Sequence, residues 1–363
     1  MFLFPGGHLT LYRLFYSTYA HAVRKKITDF AQRALVPFTQ CTEVPGMRKE
    51  ETFLWLLLVV RPPPRVNSCT IQVVEHQLRS KAGRSLDDCE DGFVVTPTFA
   101  CVIDGATSPT GRRWTTAQLT GGQWAARILC RAIEEDLAEE MSPSDIVAAL
   151  TESLHKAYQQ EPGALKVMQE RPEERATASL ALYSNQLRKV IVVGDCQVAL
   201  VDERGQIVQH HQPTKYVDTV TSEARAMFWQ AERLTSQNNE VSGDLGRDLI
   251  HPLLLRQRRF QNNKHAPTPY RYWVMDGFPI DTEGIQLLDV CDSVKEVILA
   301  TDGYPTLYPT LQETERHLRE LIKEDPMMIL GRHKAAKGVL KGAESFDDRT
   351  YLRIRLYSPT SRS

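Results

Sequence analysis

The clearest hydrophobic pattern in the chain is a pair of short apolar runs, residues 92–95 and 99–103, separated by a Thr-Pro-Thr break. Asp91 precedes the first run and Asp104 follows the second. The short connection favours antiparallel pairing, which brings Asp91 and Asp104 to the same rim of a sheet. Two adjacent carboxylates repel each other unless a proton or a cation lies between them. The pattern therefore predicts a hairpin and gives a first indication of a metal site.

Other strands are indicated by short apolar or alternating runs. The final strand alternates Leu352, Ile354 and Leu356 with arginines, so one of its faces is expected to be buried. Residues 175–183, 190–193 and 198–201 follow one another through short turns, which predicts an antiparallel meander. Residues 70–75 and 294–300 are also predicted to be strands, and the final strand covers residues 351–357.

Four helices are predicted from apolar residues at helical spacing. Ser142 and Pro143 are well placed as the N-cap and first residue of the second helix. The predicted apolar faces consist of Trp124, Ile128, Ala132, Ile133 and Leu137; of Ile146, Leu150, Leu154 and Tyr158; of Ala224, Phe228, Ala231 and Leu234; and of Leu311, Leu318, Leu321 and Ile322. The first two helices are expected to lie side by side on one face of a sheet. Antiparallel strands interleaved with paired helices predict an α+β layered sandwich over residues 68–358.

Two segments differ from this pattern. Residues 1–67 carry nine Lys and Arg against four acids, a local charge of +5, and end in a triple proline. This composition is typical either of an organelle transit peptide or of a poorly ordered N-terminal extension. Residues 235–270 are polar and are expected to be irregular. Residues 256–271 contain five basic residues and no acid, which indicates either a solvated loop or attraction of an anionic substrate to a nearby pocket.

The overall composition excludes several classes of protein. With 363 residues, of which 42% are hydrophobic, the chain can bury a sizeable core. A net charge of −1 gives no general attraction to nucleic acid or anionic lipid. The longest apolar run, residues 53–60, is too short for a membrane span. The seven scattered cysteines favour a reducing compartment, so we expect a cytoplasmic protein, or an organellar one if residues 1–67 are a transit peptide.

Two further acids extend the indication of a metal site. Asp104 and Asp302 each close an apolar strand and precede glycine, and Asp347 lies just before the last strand. An Asp-Gly pair alone is usually a tight turn, but these two lead into loops and not into returning strands. Carboxylates at strand ends without nearby His or Cys favour Mg²⁺ or Mn²⁺ over zinc.

An ordered set of six short motifs carries a resemblance to a known family. The motifs are Glu90-Asp91, Val102-Ile103-Asp104-Gly105, Ala176-Thr177-Ala178-Ser179, Val193-Gly194-Asp195-Cys196, Leu299-Ala300-Thr301-Asp302-Gly303 and Asp347-Asp348-Arg349-Thr350. In this order, and each at a strand end, they resemble the metal-dependent protein phosphatase family (PPM, type 2C) over about residues 70–356. The resemblance implies two packed antiparallel β-sheets flanked by antiparallel helix pairs, an α-β-β-α sandwich.

The resemblance also implies a set of ligands and a mechanism. Asp104 would bridge two Mg²⁺ or Mn²⁺ ions, with the Gly105 carbonyl on one of them, and Asp302 and Asp347 would hold the other. Glu90 and Asp91 would act on the first ion directly or through water. Asp104 and Asp302 would thus be the central catalytic acids, and a metal-bridging water would attack a phosphomonoester in line.

The chain departs from the family pattern at several positions. Ala106 stands where many members have a histidine that protonates the leaving group, which predicts slow turnover because such an acid supplies about 10²–10⁴-fold in rate. The phosphate-binding arginine usually lies five residues before the second acid of the Glu-Asp pair, where this chain has Leu86, so Arg84 is the candidate for that role. Thr306 replaces an acid associated with a third metal, and Asp195 is expected to be a turn or supporting residue.

Two functions remain open from the sequence. The first is a Mg²⁺- or Mn²⁺-dependent phosphatase that hydrolyses phosphoserine and phosphothreonine in proteins. The second is a catalytically weak pseudophosphatase that binds a phosphoprotein or another partner through the same surface. The retained acids favour the first function, and the missing histidine and displaced arginine favour the second. A haloacid-dehalogenase-type phosphatase is set aside, because it needs an aspartate two residues after its nucleophile, where Ala106 and Tyr304 stand.

Overall fold

The structure of the protein is a computed structural model, which describes residues 71–83, 85–115, 118–235 and 244–356. The predictions for residues 1–67, for the start of the first strand at residue 70 and for Arg84 therefore lie outside the described residues. The strands are β1 Gln72–Arg79, β2 Gly92–Val95, β3 Phe99–Gly105, β4 Ala178–Ser184, β5 Lys189–Val193, β6 Gln197–Asp202, β7 Ile207–His211, β8 Gln286–Asp289, β9 Val294–Ala300 and β10 Arg349–Arg355. The α-helices are α1 Gly121–Glu135, α2 Pro143–Gln160, α3 Ala164–Glu170, α4 Tyr216–Thr235, α5 Leu245–Gln257 and α6 Leu311–Glu324.

The strands form two five-stranded antiparallel sheets. Sheet A has the order β1-β10-β9-β6-β7, and sheet B has the order β2-β3-β4-β5-β8. The predicted hairpin is β2–β3, and its pairing of Gly92 with Ile103 brings Asp91 and Asp104 to one rim. The α+β sandwich expected from the sequence is thereby confirmed.

Alternating side chains on the strands fill the layers of the fold. On β3, Ala100 and Val102 point between the sheets, where they meet residues of sheet A such as Val297 and Leu299. Cys101 and Ile103 point to the opposite face of sheet B, which α1 and α2 cover. The outer face of sheet A packs against Leu318 of α6 and its neighbours. Successive side chains of a strand point to opposite faces, so the continuous apolar run of β3 is buried on both sides.

The first two helices follow their predicted signals closely. Ser142 caps α2 by accepting a hydrogen bond from the Asp145 amide, with Pro143 in the first turn. All four predicted apolar residues of α2 are buried, and α1 packs beside α2 on sheet B. At the start of α1, Thr120 and Gln123 form a capping box.

The predicted meander is wrong at its third strand. After β5 the chain leaves sheet B, and β6 pairs with β7 and β9 in sheet A. The crossing occurs at Gly194, whose φ of +93° is rarely open to other residues. A Cβ there would also lie 2.1 Å from Ser179 Oγ. Apolar alternation gives the strands but not the sheet to which each belongs, which explains the error.

Two predictions for the middle of the chain are also corrected. The buried face of α4 carries Arg225, Ala226 and Trp229, whereas the predicted Leu234 is 89% exposed. The predicted irregular segment 235–270 contains α5, Leu245–Gln257. Pro252 inside this helix, and the polar stretches before and after the helix, conceal it in the sequence. Within the described ranges, no helix is both long enough and apolar enough to cross a membrane.

Candidate metal and phosphate site

Three carboxylates from distant parts of the chain meet at one end of the two sheets. One carboxylate oxygen each from Asp104, Asp195 and Asp302 lies within 4.8 Å of the other two. Asp104 is near the end of β3, Asp195 lies at the crossing between sheets, and Asp302 follows β9. This spacing suits oxygen ligands around a divalent cation.

The acids open onto a cavity of about 530 Å³. Asp104, Gly105, Asp302 and Asp347, all predicted as metal ligands, line it together. Asp302 is exposed to this cavity, Asp104 is partly exposed, and Asp195 is buried. The sequence prediction that these acids share one pocket is thus supported for this subset by the structure, whereas their coordination of metal stays a prediction.

Electrostatics in the cavity favour a bound cation. Burial raises the pKa of Asp104, and the nearby carboxylates of Asp91 and Asp195 raise it further. Burial likewise raises the pKa of Asp302, with Asp104 as the next cause. The exposure of Asp302 to solvent in the cavity moderates this second shift. A divalent ion between the carboxylates would remove their mutual repulsion and favour the ionised forms.

Asp91 and Glu90 are buried behind the cavity wall. Asp91 Oδ2 accepts hydrogen bonds from Thr301 Oγ1 at 2.7 Å and from Thr350 Oγ1 at 3.0 Å. Glu90 accepts from Thr107 and Thr120 and forms an ion pair with Lys81. Both oxygens of Glu90 are thus occupied, which suits a role in orienting the wall. Both of these donors to Asp91 go to its Oδ2, so its Oδ1 could act on an ion through water.

Three lysines, which sequence reasoning missed, pair with the acids of the site. Lys215 Nζ lies 2.8 Å from Asp195 Oδ2, and Lys337 Nζ lies 2.6 Å from Asp347 Oδ1. The Lys81 ammonium lies 3.3 Å from a carboxylate oxygen of Glu90 and from one of Asp348.

These pairs shift the pKa values of the groups involved. Burial alone would lower the pKa of Lys81, but Asp347, Glu90 and Asp348 together raise it. Burial would raise the pKa of Asp347, but Lys337 and Lys81 lower it. These lysines therefore neutralise part of the negative charge.

Asp195, which the sequence predicts to be a turn or supporting residue, lies beside Asp104 and Asp302. Ser179 Oγ donates to its Oδ1 at 2.6 Å, and Ser179 is the register partner of Asp104. The strand pairing of β3 with β4 therefore also sets the position of Asp195. The available signal was its context: like Asp104 and Asp302, Asp195 comes at the end of an apolar strand next to a glycine.

Close backbone contacts fix the remaining wall. A Cβ on Gly105 would lie 2.1 Å from the Glu90 carbonyl oxygen, and a Cβ on Gly122 would lie 2.7 Å from the Gly105 carbonyl oxygen. Glycine at both positions therefore allows the start of α1 to approach the end of β3. Ala106 lines the cavity, and Leu86 lies in a 3₁₀ turn with 60% of its surface exposed. Neither position offers a polar side chain to a ligand.

A family model described as protein phosphatase 2C matches residues 81–326. None of the curated protein sequences matches the chain.

Among solved structures, the chain is similar to the serine/threonine phosphatase PstP/Ppp of Mycobacterium tuberculosis, with 15% identity, a TM-score of 0.38, and coverage of 79% of this chain and 100% of that one. It is also similar to the serine/threonine phosphatase Stp1 of Staphylococcus aureus, with 15% identity, a TM-score of 0.38, and coverage of 81% and 99%. A structure of the PstP catalytic domain in complex with two manganese ions has 14% identity, a TM-score of 0.40, and coverage of 80% and 100%.

Proposed function

The chain belongs to the protein phosphatase 2C family, and from this premise we propose that it hydrolyses phosphoserine and phosphothreonine monoesters on proteins with the help of Mg²⁺ or Mn²⁺. The observation that carries the proposal is the meeting of Asp104, Asp195 and Asp302 at one end of the sandwich. A pure binding module has no need of several carboxylates crowded around one cavity, because such crowding is unfavourable without a cation.

The donor set fits two hard divalent cations. Asp104, Asp302 and Asp347 line the cavity together with Gly105. The family resemblance assigns the Gly105 carbonyl oxygen as a further ligand. Asp195 joins these candidate ligands, and Glu90 and Asp91 support them from behind. Oxygen-only ligation selects Mg²⁺ or Mn²⁺ over zinc. When bound, such ions lower the pKa of a coordinated water and neutralise the charge on phosphoryl oxygens.

The chain's own residues prepare the site for this chemistry. Ser179 and Lys215 hold the Asp195 carboxylate from two sides, and Lys337 holds that of Asp347. Fixed carboxylates need little rearrangement when a cation or a substrate arrives. Ala106 cannot donate a proton to the departing serine or threonine oxygen. We therefore expect turnover about 10²–10⁴-fold slower than with a positioned general acid.

A second function is favoured by a different observation. The ammonium groups of Lys81, Lys215 and Lys337 already supply positive charge to the acids. Together with Ala106, this arrangement also suits a pseudophosphatase, a regulatory module that binds a phosphoprotein without efficient hydrolysis. For the phosphatase the partner is a phosphoprotein substrate, and for the pseudophosphatase it is a phosphoprotein or another partner protein.

The test is hydrolysis of p-nitrophenyl phosphate and of phosphoserine and phosphothreonine peptides, with Mn²⁺, with Mg²⁺ and with EDTA. The phosphatase proposal expects turnover that requires one of the metals. Absence of hydrolysis in every metal condition, combined with measurable binding of a phosphopeptide, would leave the pseudophosphatase as the function.

The N-terminal boundary and the location of the protein are part of this proposal. We propose that residues 1–67 are an extension to a phosphatase domain of residues 68–358. A cytoplasmic location is expected, with an organelle as the alternative because of the local charge of +5 in the extension. Fluorescence imaging of the full chain and of a chain lacking residues 1–67 distinguishes the two locations.

A further inference from the structure

Arg247 is the basic residue of α5 that faces the candidate metal site. It lines the same cavity as Asp104, Asp302 and Asp347. Leu254 and Arg258 line the cavity from the same helix and the turn that follows it, at spacings of seven and four residues. This spacing places the three residues on one helical face. Arg256, at the end of the same helix, is exposed.

The guanidinium group of Arg247 has donors to spare. A guanidinium carries five N–H donors. Arg247 uses Nη1 to donate to the Ala336 carbonyl oxygen at 3.0 Å. Among the described residues, this carbonyl is the one hydrogen-bond partner of the guanidinium, and no carboxylate forms an ion pair with it. Burial lowers the pKa of Arg247, while Asp347 and Asp244 act in the opposite direction. A guanidinium remains charged in proteins, so a partly desolvated cation faces the cavity with most of its donors unused.

The lysines around the same cavity are already engaged. Lys215 is paired with Asp195 and Asp218, Lys337 with Asp347, and Lys334 with Glu223. Their positive charges offset the negative charges of protein carboxylates, so little positive charge remains to attract an anionic ligand. Arg247 therefore differs from them, since it is close enough to feel Asp347 and Glu90 electrostatically but is paired with neither.

We infer that Arg247 binds the phosphoryl group of the substrate. This inference rests on the proposed phosphatase function, in which the family resemblance expects an arginine where Leu86 stands. A guanidinium presents parallel N–H donors that match two phosphate oxygens, and phosphate would supply the partners that Arg247 lacks. The hydrogen bond to the Ala336 carbonyl oxygen fixes the direction of the Arg247 side chain. In this arrangement, a residue of α5 binds the phosphoryl group, a role that the family assigns to an arginine in the N-terminal part of the domain.

The experiment measures the affinity for inorganic phosphate by isothermal titration calorimetry, in Mg²⁺-containing buffer, for the full chain and three variants. We expect Arg247→Gln to weaken phosphate binding and to raise KM for p-nitrophenyl phosphate, each by about tenfold or more. Arg247→Lys keeps the charge but loses the paired donors, so it should fall between Arg247→Gln and the parent. Arg256→Gln, an exposed arginine on the same helix, is the matched control and should leave both quantities unchanged.

The outcomes separate this inference from the proposed function. A parent that hydrolyses phosphate esters, with Arg247 variants that bind phosphate as tightly as the parent, overturns the role of Arg247 and leaves the phosphatase function intact. Binding that depends on Arg247 without hydrolysis in any metal supports the inference and contradicts the phosphatase function. A parent that does not bind phosphate overturns the inference. Near-UV circular dichroism and Mg²⁺ affinity, both expected to be unchanged, show that the variants are folded; if Arg247→Gln is misfolded, Arg247→Lys decides.

Discussion

Asp104 and Asp302 come from different sheets, and one carboxylate oxygen of each lies within 4.8 Å of the other. Asp104 is near the end of β3 in sheet B, and Asp302 follows β9 in sheet A. Neither sheet alone can therefore form the site. Two carboxylates held this close by separate elements repel each other, and a cation bound between them would relieve this repulsion.

Replacing Asp302 with asparagine should separate activity from stability. The amide keeps the size of the side chain but removes its charge. We expect metal-stimulated hydrolysis of p-nitrophenyl phosphate to be lost, while the metal-free variant melts at a temperature equal to or above that of the parent, because repulsion from Asp104 and Asp195 is relieved. Activity assays and thermal melts in EDTA measure the two effects. Asp289→Asn, on the exposed part of β8, is a suitable control and should retain activity. An active Asp302→Asn enzyme would contradict the ligand assignment.

Divalent metal should stabilise the folded protein. Cations that bind the native state but not the unfolded chain raise the free energy of unfolding in proportion to the logarithm of their concentration. At a concentration about 100 times the Kd, the expected gain is about 2.7 kcal/mol. Urea unfolding with Mn²⁺ and with EDTA measures it, and Asp302→Asn should show a smaller difference between the two conditions. Equal stability with and without metal, at Mn²⁺ concentrations that support hydrolysis, would count against the site.

The buried pair of Arg225 and Asp244 should be essential for stability. The Arg225 side chain is fully buried and donates to Asp244, and also to the carbonyls of Met327 and Ala335. Asp244 additionally caps α5. Asp244→Asn leaves the arginine charge uncompensated, which costs about 3–5 kcal/mol for a buried pair. Urea unfolding measures the loss. Glu152→Gln, which breaks the exposed pair with Lys156, should change stability by less than about 1 kcal/mol.

The same pair predicts a dependence of stability on pH. Burial would raise the pKa of Asp244, but hydrogen bonds from Arg225 and Trp229 lower it below its ordinary value. The unfolded chain therefore binds more protons than the native state at acidic pH. The stabilisation by Asp244 is present above the unfolded pKa of about 3.9 and is lost as pH falls through the lower folded value. Unfolding free energies between about pH 6 and pH 3 should thus fall less steeply for Asp244→Asn than for the parent, and parallel curves would refute this assignment.

Adding a single methyl group at Gly122 should disturb the site through the backbone. The new Cβ would lie 2.7 Å from the carbonyl carbon and oxygen of Gly105, so α1 or β3 must move. We expect Gly122→Ala to lower stability by about 1–3 kcal/mol, as for other overpacked positions, and to weaken Mn²⁺ binding. Denaturation and metal titration measure the two effects. Gly163→Ala is the comparison: its φ of +74° strains alanine, but no atom lies within 4 Å, so metal binding should be unaffected.

Local patterns predicted much of the fold because local physics determines those elements. The hairpin around the Thr-Pro-Thr break, the capped start of α2 and the alternation of β10 all follow from short-range preferences. The position of β6 does not, because the same apolar run fits either sheet. The face of α4 was predicted wrongly because a buried Arg225 contradicts the usual burial preferences.

Some residues of the candidate site are predicted by local sequence patterns and others are not. Asp104, Asp302 and Asp347 carry strand-end signals, and the structure brings them to one cavity. Lys215, Lys337 and Arg247 carry no such signal. Each reaches the site from a helix or loop whose placement depends on tertiary packing, so its role becomes visible only in the folded chain.

The hydrogen bonds from Thr301 and Thr350 to Asp91 have a mechanical consequence. Both threonines belong to sheet A and its extension, and Asp91 directly precedes β2 of sheet B, so a single carboxylate ties the two sheets together beside Asp104 and Asp302. Shear between the sheets must stretch these bonds before it changes the separation of Asp104 and Asp302. The rigidity of the whole sandwich is thereby transmitted to the spacing of the acids, and substitutions in the distant inter-sheet core should alter metal affinity without touching a ligand.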